Sequence, residues 1–269
     1  MTAFHLKIIA LVSMLMDHTA AVFPQYVPLW FRVVGRLAFP IFAYLVAEGF
    51  RHTRDARKFL LRLAAFALVS QPFFGWALMG YAAPWQVSFI YRTNIFYTML
   101  LGGGAIVAFQ QIKSYLAAQK ENEYIAAALG CLPLLGFLWL GDFLATDFGA
   151  AGVALVFTMY AVQHKKARLA TMAVLCVILQ RGLLDYWYFV YINPGVGRAA
   201  LTNPQPRVIY WMLPATLLTV VLAALYNGKR EPLRITNANN KVLAFIMKWF
   251  FYAAYPAHLA ILGGLALFI

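Results

Sequence analysis

Acidic residues are scarce in this sequence: nine Asp and Glu stand against 22 Lys and Arg in 269 residues, and charged residues make up only 12% of the chain. Soluble domains carry about a quarter of their residues as charges, so a water-soluble enzyme is excluded. Disorder and fibrous repeats are excluded by the opposite excess, since 63% of the residues are hydrophobic. Cysteine is nearly absent. Cys131 and Cys176 both lie inside apolar runs, where they read as packing residues. They supply neither a disulfide framework nor metal-ligand spacing, and no metal is expected. A cleaved signal peptide is not expected either, because Asp17-His18 interrupts the first apolar run. No internal repeat is visible.

What is present is a series of apolar runs near twenty residues long, with a mean hydropathy of +0.72. Runs of that length span a bilayer as helices rather than as a β-barrel. The expected fold is therefore all-α, a polytopic transmembrane bundle of about nine spans forming a single domain over residues 1–269. The spans are predicted near Leu6–Phe23, Arg32–Phe50, Phe59–Met79, Asn94–Ile112, Tyr124–Leu140, Phe148–Gln163, Leu169–Val190, Val208–Tyr226 and Leu243–Leu265. Pro24, Pro28, Pro84, Pro194, Pro204 and Pro206 fall in the connections.

The net charge of +13 suggests nucleic acid only in a soluble protein. In a membrane protein it belongs to the cytoplasmic loops, which collect Lys and Arg, so no nucleic-acid partner is expected. With the N-terminus in the cytoplasm, the inner segments hold Lys7, the Arg51–Arg62 cluster, Lys113, Lys120, Lys165, Lys166, Arg168 and the group from Lys229 to Lys248. These are 16 of the 22 basic residues. The bias predicts N-terminus in, C-terminus out, in a multi-pass protein of the cell's inner (cytoplasmic) membrane.

Ionisable groups inside a span are costly and point to function. They are Asp17 and His18 in the first predicted helix, Arg36 and Glu48 in the second, Arg181 and Asp185 in the seventh and His258 in the ninth, with Asp147 opening the sixth. Arg181 and Asp185 are four residues apart and can neutralise each other. Glu48 sits near the inner end, close to the basic loop, and reads as a structural ion pair. His18 and Lys7 are eleven residues apart, three turns plus about 20°, so they share one helix face with a rise of about 16 Å between them. A phosphate-bearing donor anchored at Lys7 can send a long arm to His18, and the pantetheine arm of coenzyme A has that shape. The densest basic stretch runs through Arg51, Arg54, Arg57 and Lys58, with Arg62 beyond. It reads either as a topology determinant or as a site for nucleotide phosphates, which the planar Arg fork recognises.

Several stretches resemble the TraX family of membrane acetyltransferases. They are Leu6–His18 (LKIIALVSMLMDH), Gly35–Arg51 (GRLAFPIFAYLVAEGFR), the SQPF that closes Arg62–Phe73, Asn94–Leu100 (NIFYTML), Asp147–Gly149, Tyr226–Arg230 (YNGKR) and Lys248–Leu259 (KWFFYAAYPAHL). The resemblance implies an acetyl-CoA-dependent acyltransferase, the founding activity of that family being acetylation of a pilin N-terminus. The Lys-x10-His spacing is also similar to the first helix of the wider transmembrane acyltransferases, whose catalytic His maps to His18. Their Arg-x-x-Arg maps to Arg51 and Arg54 or to Arg54 and Arg57. The acceptor, an amine or a hydroxyl, stays open.

The expected site is then His18 as catalytic base with Asp17 beside it. Lys7, Arg51, Arg54, Arg57 and Lys58 bind the donor, and Arg36, Asn94, Asp147, Arg181, Asp185 and His258 line the site. Asp17 either orients His18 or pairs with Arg36. Transfer is either direct or through an acetyl-imidazole. His258, in Tyr255-Pro256-Ala257-His258, either binds substrate or is structural, and Pro256 is expected to break its helix. The rival expectation is a proton-coupled transporter or flippase, against which stand the odd span count and the missing inverted repeat.

Overall fold

A computed structural model describes residues 1–86, 92–180, 206–229 and 241–268, with the backbone alone for 206–210 and 241–248. Every described element is a helix. They are α1 (Ala3–Val22), α2 (Trp30–Gly35), α3 (Ala38–His52), α4 (Ala56–Leu78), α5 (Ile95–Ala118), α6 (Glu123–Gly130), α7 (Leu132–Phe143), α8 (Gly149–Ala161), α9 (Lys165–Leu179), α10 (Pro206–Ala224) and α11 (Lys241–Leu265). Extended backbone is confined, among the described residues, to one isolated bridge between Thr93 and Thr146.

Five stretches are long and apolar enough to cross a membrane: Ala3–Val22, Trp30–His52, Ala56–Leu78, Ile95–Ala118 and Glu123–Phe143. Gly149–Ala161 and Trp211–Ala224 are shorter apolar helices. Each stretch falls on an expected span, with two differences of form. The second and fifth predicted spans are each broken in two, at Arg36–Leu37 and at Cys131. Proline explains both. A proline ring clashes with the carbonyl four residues back and cannot donate to it. Pro40 thereby disrupts the turn at Arg36, and Pro133 the turn from Leu129 into Cys131. Pro256 behaves otherwise than expected, because α11 runs through it without a break. It only deprives the Tyr252 carbonyl of its intrahelical donor. The seventh predicted span continues beyond α9 into residues outside the described set.

The chain forms two compact units. The first holds Met1–Phe42, Leu169–Phe251 and Ile261–Ile269. Here α1 lies against α2, and α2 against α10. The start of α1 is tied to the turn after α10 by three bonds. The Met1 ammonium donates to Leu225 O (2.8 Å), Asn227 N–H donates to Met1 O (3.0 Å) and Ala3 N–H donates to Lys229 O (2.9 Å). The turn needs Gly228, whose φ of 78° lies in the left-handed region, and Asn227 Oδ1 accepts from Lys229 N–H (3.0 Å). This gives the Tyr-Asn-Gly-Lys stretch a structural job: it anchors the helix that carries Lys7 and His18.

The second unit holds Ala43–Arg168 and Tyr252–Ala260. Its centre is α5, where three successive glycines face three different neighbours because helical residues turn by about 100° each. A Cβ would meet Val156 at 2.5 Å from Gly102, Phe50 at 2.7 Å from Gly103 and Phe137 at 2.8 Å from Gly104. Helices α8, α3 and α7 therefore pack directly on the α5 backbone, as small residues permit in membrane interiors. By contrast, the α6–α7 stretch buries only 17% of its apolar window and turns Leu135 and Trp139 outward.

Candidate functional site

In the first unit, His18 sits one turn before the end of α1 and is buried, with 9% of its surface exposed. Beside it, the Asp17 carboxylate is held by two arginines. Arg36 Nη2 donates to Oδ1 (2.6 Å) and Oδ2 (2.8 Å). Arg32 Nη1 lies 3.0 Å from Oδ1 and donates to the Asp17 carbonyl (3.2 Å). Arg36 Nε in turn donates to Arg32 O (3.2 Å). Gly35 makes this possible: a Cβ there would stand 2.3 Å from the Asp17 Cβ. Of the two roles open to Asp17, pairing with Arg36 is the one whose geometry is seen. Two guanidiniums on one carboxylate leave one net positive charge in the layer that holds His18. Arg32, missed as a site residue, was legible only as an end-of-span basic residue. At the other end of α1, Lys7 Nζ lies 5.2 Å from the centre of the Phe251 ring, a cation–π contact.

The basic segment of the second unit divides by exposure. Arg51 turns inward. Its Nη1 pairs with Glu48 Oε1, and its Nη2 donates to Met159 O (2.7 Å) and Tyr160 O (2.8 Å), the last turn of α8. Arg168 joins the same carboxylate at 3.3 Å. Glu48 is thus a shared counter-ion, as its place near the basic loop predicts. Arg51 is fastened by it and by unsatisfied helix-end carbonyls. Arg54, Arg57 and Lys58 are exposed. Asp55 caps α4 by accepting from Lys58 N–H (2.9 Å), and that bond holds its carboxyl below the usual value.

Asn94 is completely buried and its side chain is fully engaged. Its Oδ1 accepts from Phe96 N–H (3.0 Å), capping α5, while Nδ2 donates to Ala67 O (2.8 Å) and Gln71 Oε1 (2.9 Å). Gln71 also accepts from Asn94 N–H (3.0 Å) and donates to Arg92 O (3.1 Å). The pair locks α4 to the start of α5, next to Pro72, which leaves the Leu68 carbonyl without its helical donor. Asp147 is half-buried just before α8, and its charge reaches the Tyr255 phenol. His258 is buried, and its Nδ1 lies 2.8 Å from Ala254 O. A carbonyl only accepts, so Nδ1 carries the proton. The Tyr255 ring stands edge-on to it, with centroids 5.5 Å apart. Arg181 and Asp185 lie outside the described residues. Among the described residues, no three His, Cys, Asp or Glu side chains are grouped to hold a metal ion.

The chain is 28% identical over 281 aligned positions to a probable fimbrial assembly protein FimC, serogroup H1, of Dichelobacter nodosus, covering 100% of this chain and 97% of that protein. It is 27% identical over 266 positions to Protein TraX of Escherichia coli, covering 97% of this chain and 86% of that one. No solved structure matches. The family model described as TraX protein matches residues 3–266, almost the whole chain, and this helical membrane protein belongs to the TraX family.

Proposed function

We propose that the protein is an integral membrane acetyltransferase of the inner membrane, taking the acetyl group of cytoplasmic acetyl-CoA to an amine or hydroxyl on an envelope component. The observation that carries this reading is His18: a buried imidazole next in sequence to an Arg-clamped carboxylate, on the face of α1 that carries Lys7 about 16 Å away. The fimbrial assembly named for one relative supports a subunit of a surface filament as acceptor, and the resemblance to the family adds an N-terminal amine as the group modified. The N-terminus lies in the cytoplasm, where the basic segments meet the anionic donor.

His18 acts as general base. It accepts the proton of the acceptor N–H or O–H as the nitrogen or oxygen attacks the thioester carbon. The C–S bond breaks, and the departing thiolate of coenzyme A takes up a proton. Imidazole suits this step because its ordinary pKa lies near neutrality. Asp17 holds Arg32 and Arg36 at the end of α1 that carries His18, where their net positive charge favours an oxyanion forming at the carbonyl. Lys7 in the first unit, and separately the Arg54, Arg57 and Lys58 group in the second, each carry positive charge that attracts the phosphates of the donor. Arg51 holds the segment in place through Glu48. Within the second unit, Asp147 and His258 are polar groups available to the acceptor, and Asn94 fixes α4 to α5 there.

The test is transfer of radiolabel from acetyl-CoA to a cell-envelope extract by the purified protein. Labelled product in the presence of wild type, and none with His18→Ala, is the expected result. A transporter yields no labelled product. If His18→Ala folds and turns over within about tenfold of wild type, the general-base assignment fails, since such groups contribute roughly 10²–10⁴.

A further inference from the structure

One face of α4 in the second unit runs from Lys58, already placed among the donor residues, into residues that the donor reading has not used. Lys58, Arg62, Phe66 and Ser70 follow each other at four-residue steps, so they form one stripe down the helix. The stripe changes character with depth. Lys58 is exposed, Arg62 and Phe66 are half-buried and Ser70 is completely buried. Tyr252 of α11 faces it: its ring stacks on Phe66 with centroids 5.1 Å apart, and its hydroxyl faces the Arg62 guanidinium.

Arg62 is the odd member. It lies about 9 Å along α4 from Ala56, inside a stretch apolar enough to cross a membrane. Its Nε is buried and has no hydrogen-bond partner, and no carboxylate among the described residues lies within 4.0 Å of it. The ring of Phe59, 5.4 Å away, offers only its π-face. The other partly buried arginines, Arg32, Arg36, Arg51 and Arg168, all have a carboxylate. A guanidinium in a span is expensive without an anion beside it, and among the described residues Arg62 has the Tyr252 hydroxyl but no carboxylate.

The far end of the stripe is also unsatisfied. Hydroxyls in these helices normally donate to the carbonyl four residues back, as Thr19, Thr158 and Thr216 do at 2.7 Å. Ser70 Oγ is buried with no such partner, and so is Thr98 Oγ1 of α5.

We infer that Arg62 binds a phosphate ester whose uncharged chain lies along Phe66 and Tyr252 toward Ser70. The guanidinium fork fits phosphate oxygens, and Lys58 one turn outward adds the second positive charge that a phosphate group attracts. The phosphate belongs either to coenzyme A or to a phospholipid headgroup. The first source rests on the acetyltransferase reading; the second does not.

The experiment uses the full chain in nanodiscs. In phosphatidylcholine discs, coenzyme A binding is measured by calorimetry for wild type, Arg62→Gln, Arg62→Lys and Tyr252→Phe. In discs containing phosphatidylglycerol, lipid retained through purification is counted by native mass spectrometry for the same variants. Thermal unfolding shows which variants fold, and Tyr252→Phe removes one hydroxyl only. If coenzyme A is the source, Arg62→Gln weakens its binding by about tenfold or more, the size of one charge-assisted hydrogen bond, and Arg62→Lys does not restore it. If a lipid is the source, Arg62→Gln loses retained phosphatidylglycerol while coenzyme A affinity stays. Folded Arg62 variants that match wild type in both arms overturn the site. Wild type that binds no coenzyme A overturns the acetyltransferase reading instead, and the lipid arm still decides Arg62.

Discussion

Asp17 and Asn94 show what single polar residues do in an apolar chain. Removing the Asp17 charge leaves Arg32 and Arg36 facing each other without a counter-ion. Asp17→Asn should therefore lower the unfolding free energy, by an amount approaching the roughly 3–5 kcal/mol typical of a broken buried pair but reduced by the partial exposure of these side chains. Asp17→Asn with Arg36→Gln should recover part of the loss, and a double variant no more stable than the single one sinks the pairing. Asn94→Ala removes a helix cap and strands Gln71, which should cost about 2–4 kcal/mol on the same measurement. Asn94 was legible as a helix start, since Asn precedes an apolar run. Its second role was not, because Gln71 and Ala67 are more than twenty positions earlier in the chain. Arg51 is the same kind of case. A sequence shows its charge, but not that two of its acceptors are backbone carbonyls 108 and 109 residues away.

Helices as units were far more legible than their interruptions. Apolar runs of membrane-spanning length match five of the described stretches, because the bilayer permits little else. The bends at Arg36 and Cys131 depend on what Pro40 and Pro133 do four residues upstream, whereas Pro72 and Pro256 leave their helices continuous. The same residue type thus gives opposite outcomes, and packing decides between them. Helix α4 also carries a pH-sensitive start. Asp55 caps it from a partly exposed position, and the Lys58 amide lowers its pKa. A depressed carboxylate contributes stability above its ordinary pKa of 3.8, and that contribution disappears as pH falls through the folded value. Hydrogen-exchange protection at Lys58 should accordingly fall in acid below pH 3.8 and be constant above about pH 6, after correction for intrinsic rates. Asp55→Asn, which still accepts the amide, should flatten the acid response; an unaltered response assigns it to another group.

For the whole molecule, the decisive property is which side each loop faces. The basic bias predicts that a cysteine placed at residue 84, in a background without Cys131 and Cys176, reacts with a membrane-impermeant reagent from outside, while cysteines at 56 and 166 are spared. The reverse pattern removes the donor from the side where Lys7 and Arg54 lie. If the pattern holds, Arg54→Lys becomes the informative donor variant. It keeps the charge that orients the loop and removes the planar fork, so the Michaelis constant for acetyl-CoA should rise more than turnover falls. Unchanged coenzyme A affinity in that variant removes Arg54 from the donor site.

The carboxylate of Glu48, shared by Arg51 and Arg168, also constrains how this chain can diverge. Losing Glu48 alone strands two cations, while losing either arginine alone still leaves the acid paired. Descent should therefore pass through the arginines first and reach the glutamate last. Aligned relatives with an apolar residue at position 48 should lack both cations, and relatives that keep the acid should retain at least one of them.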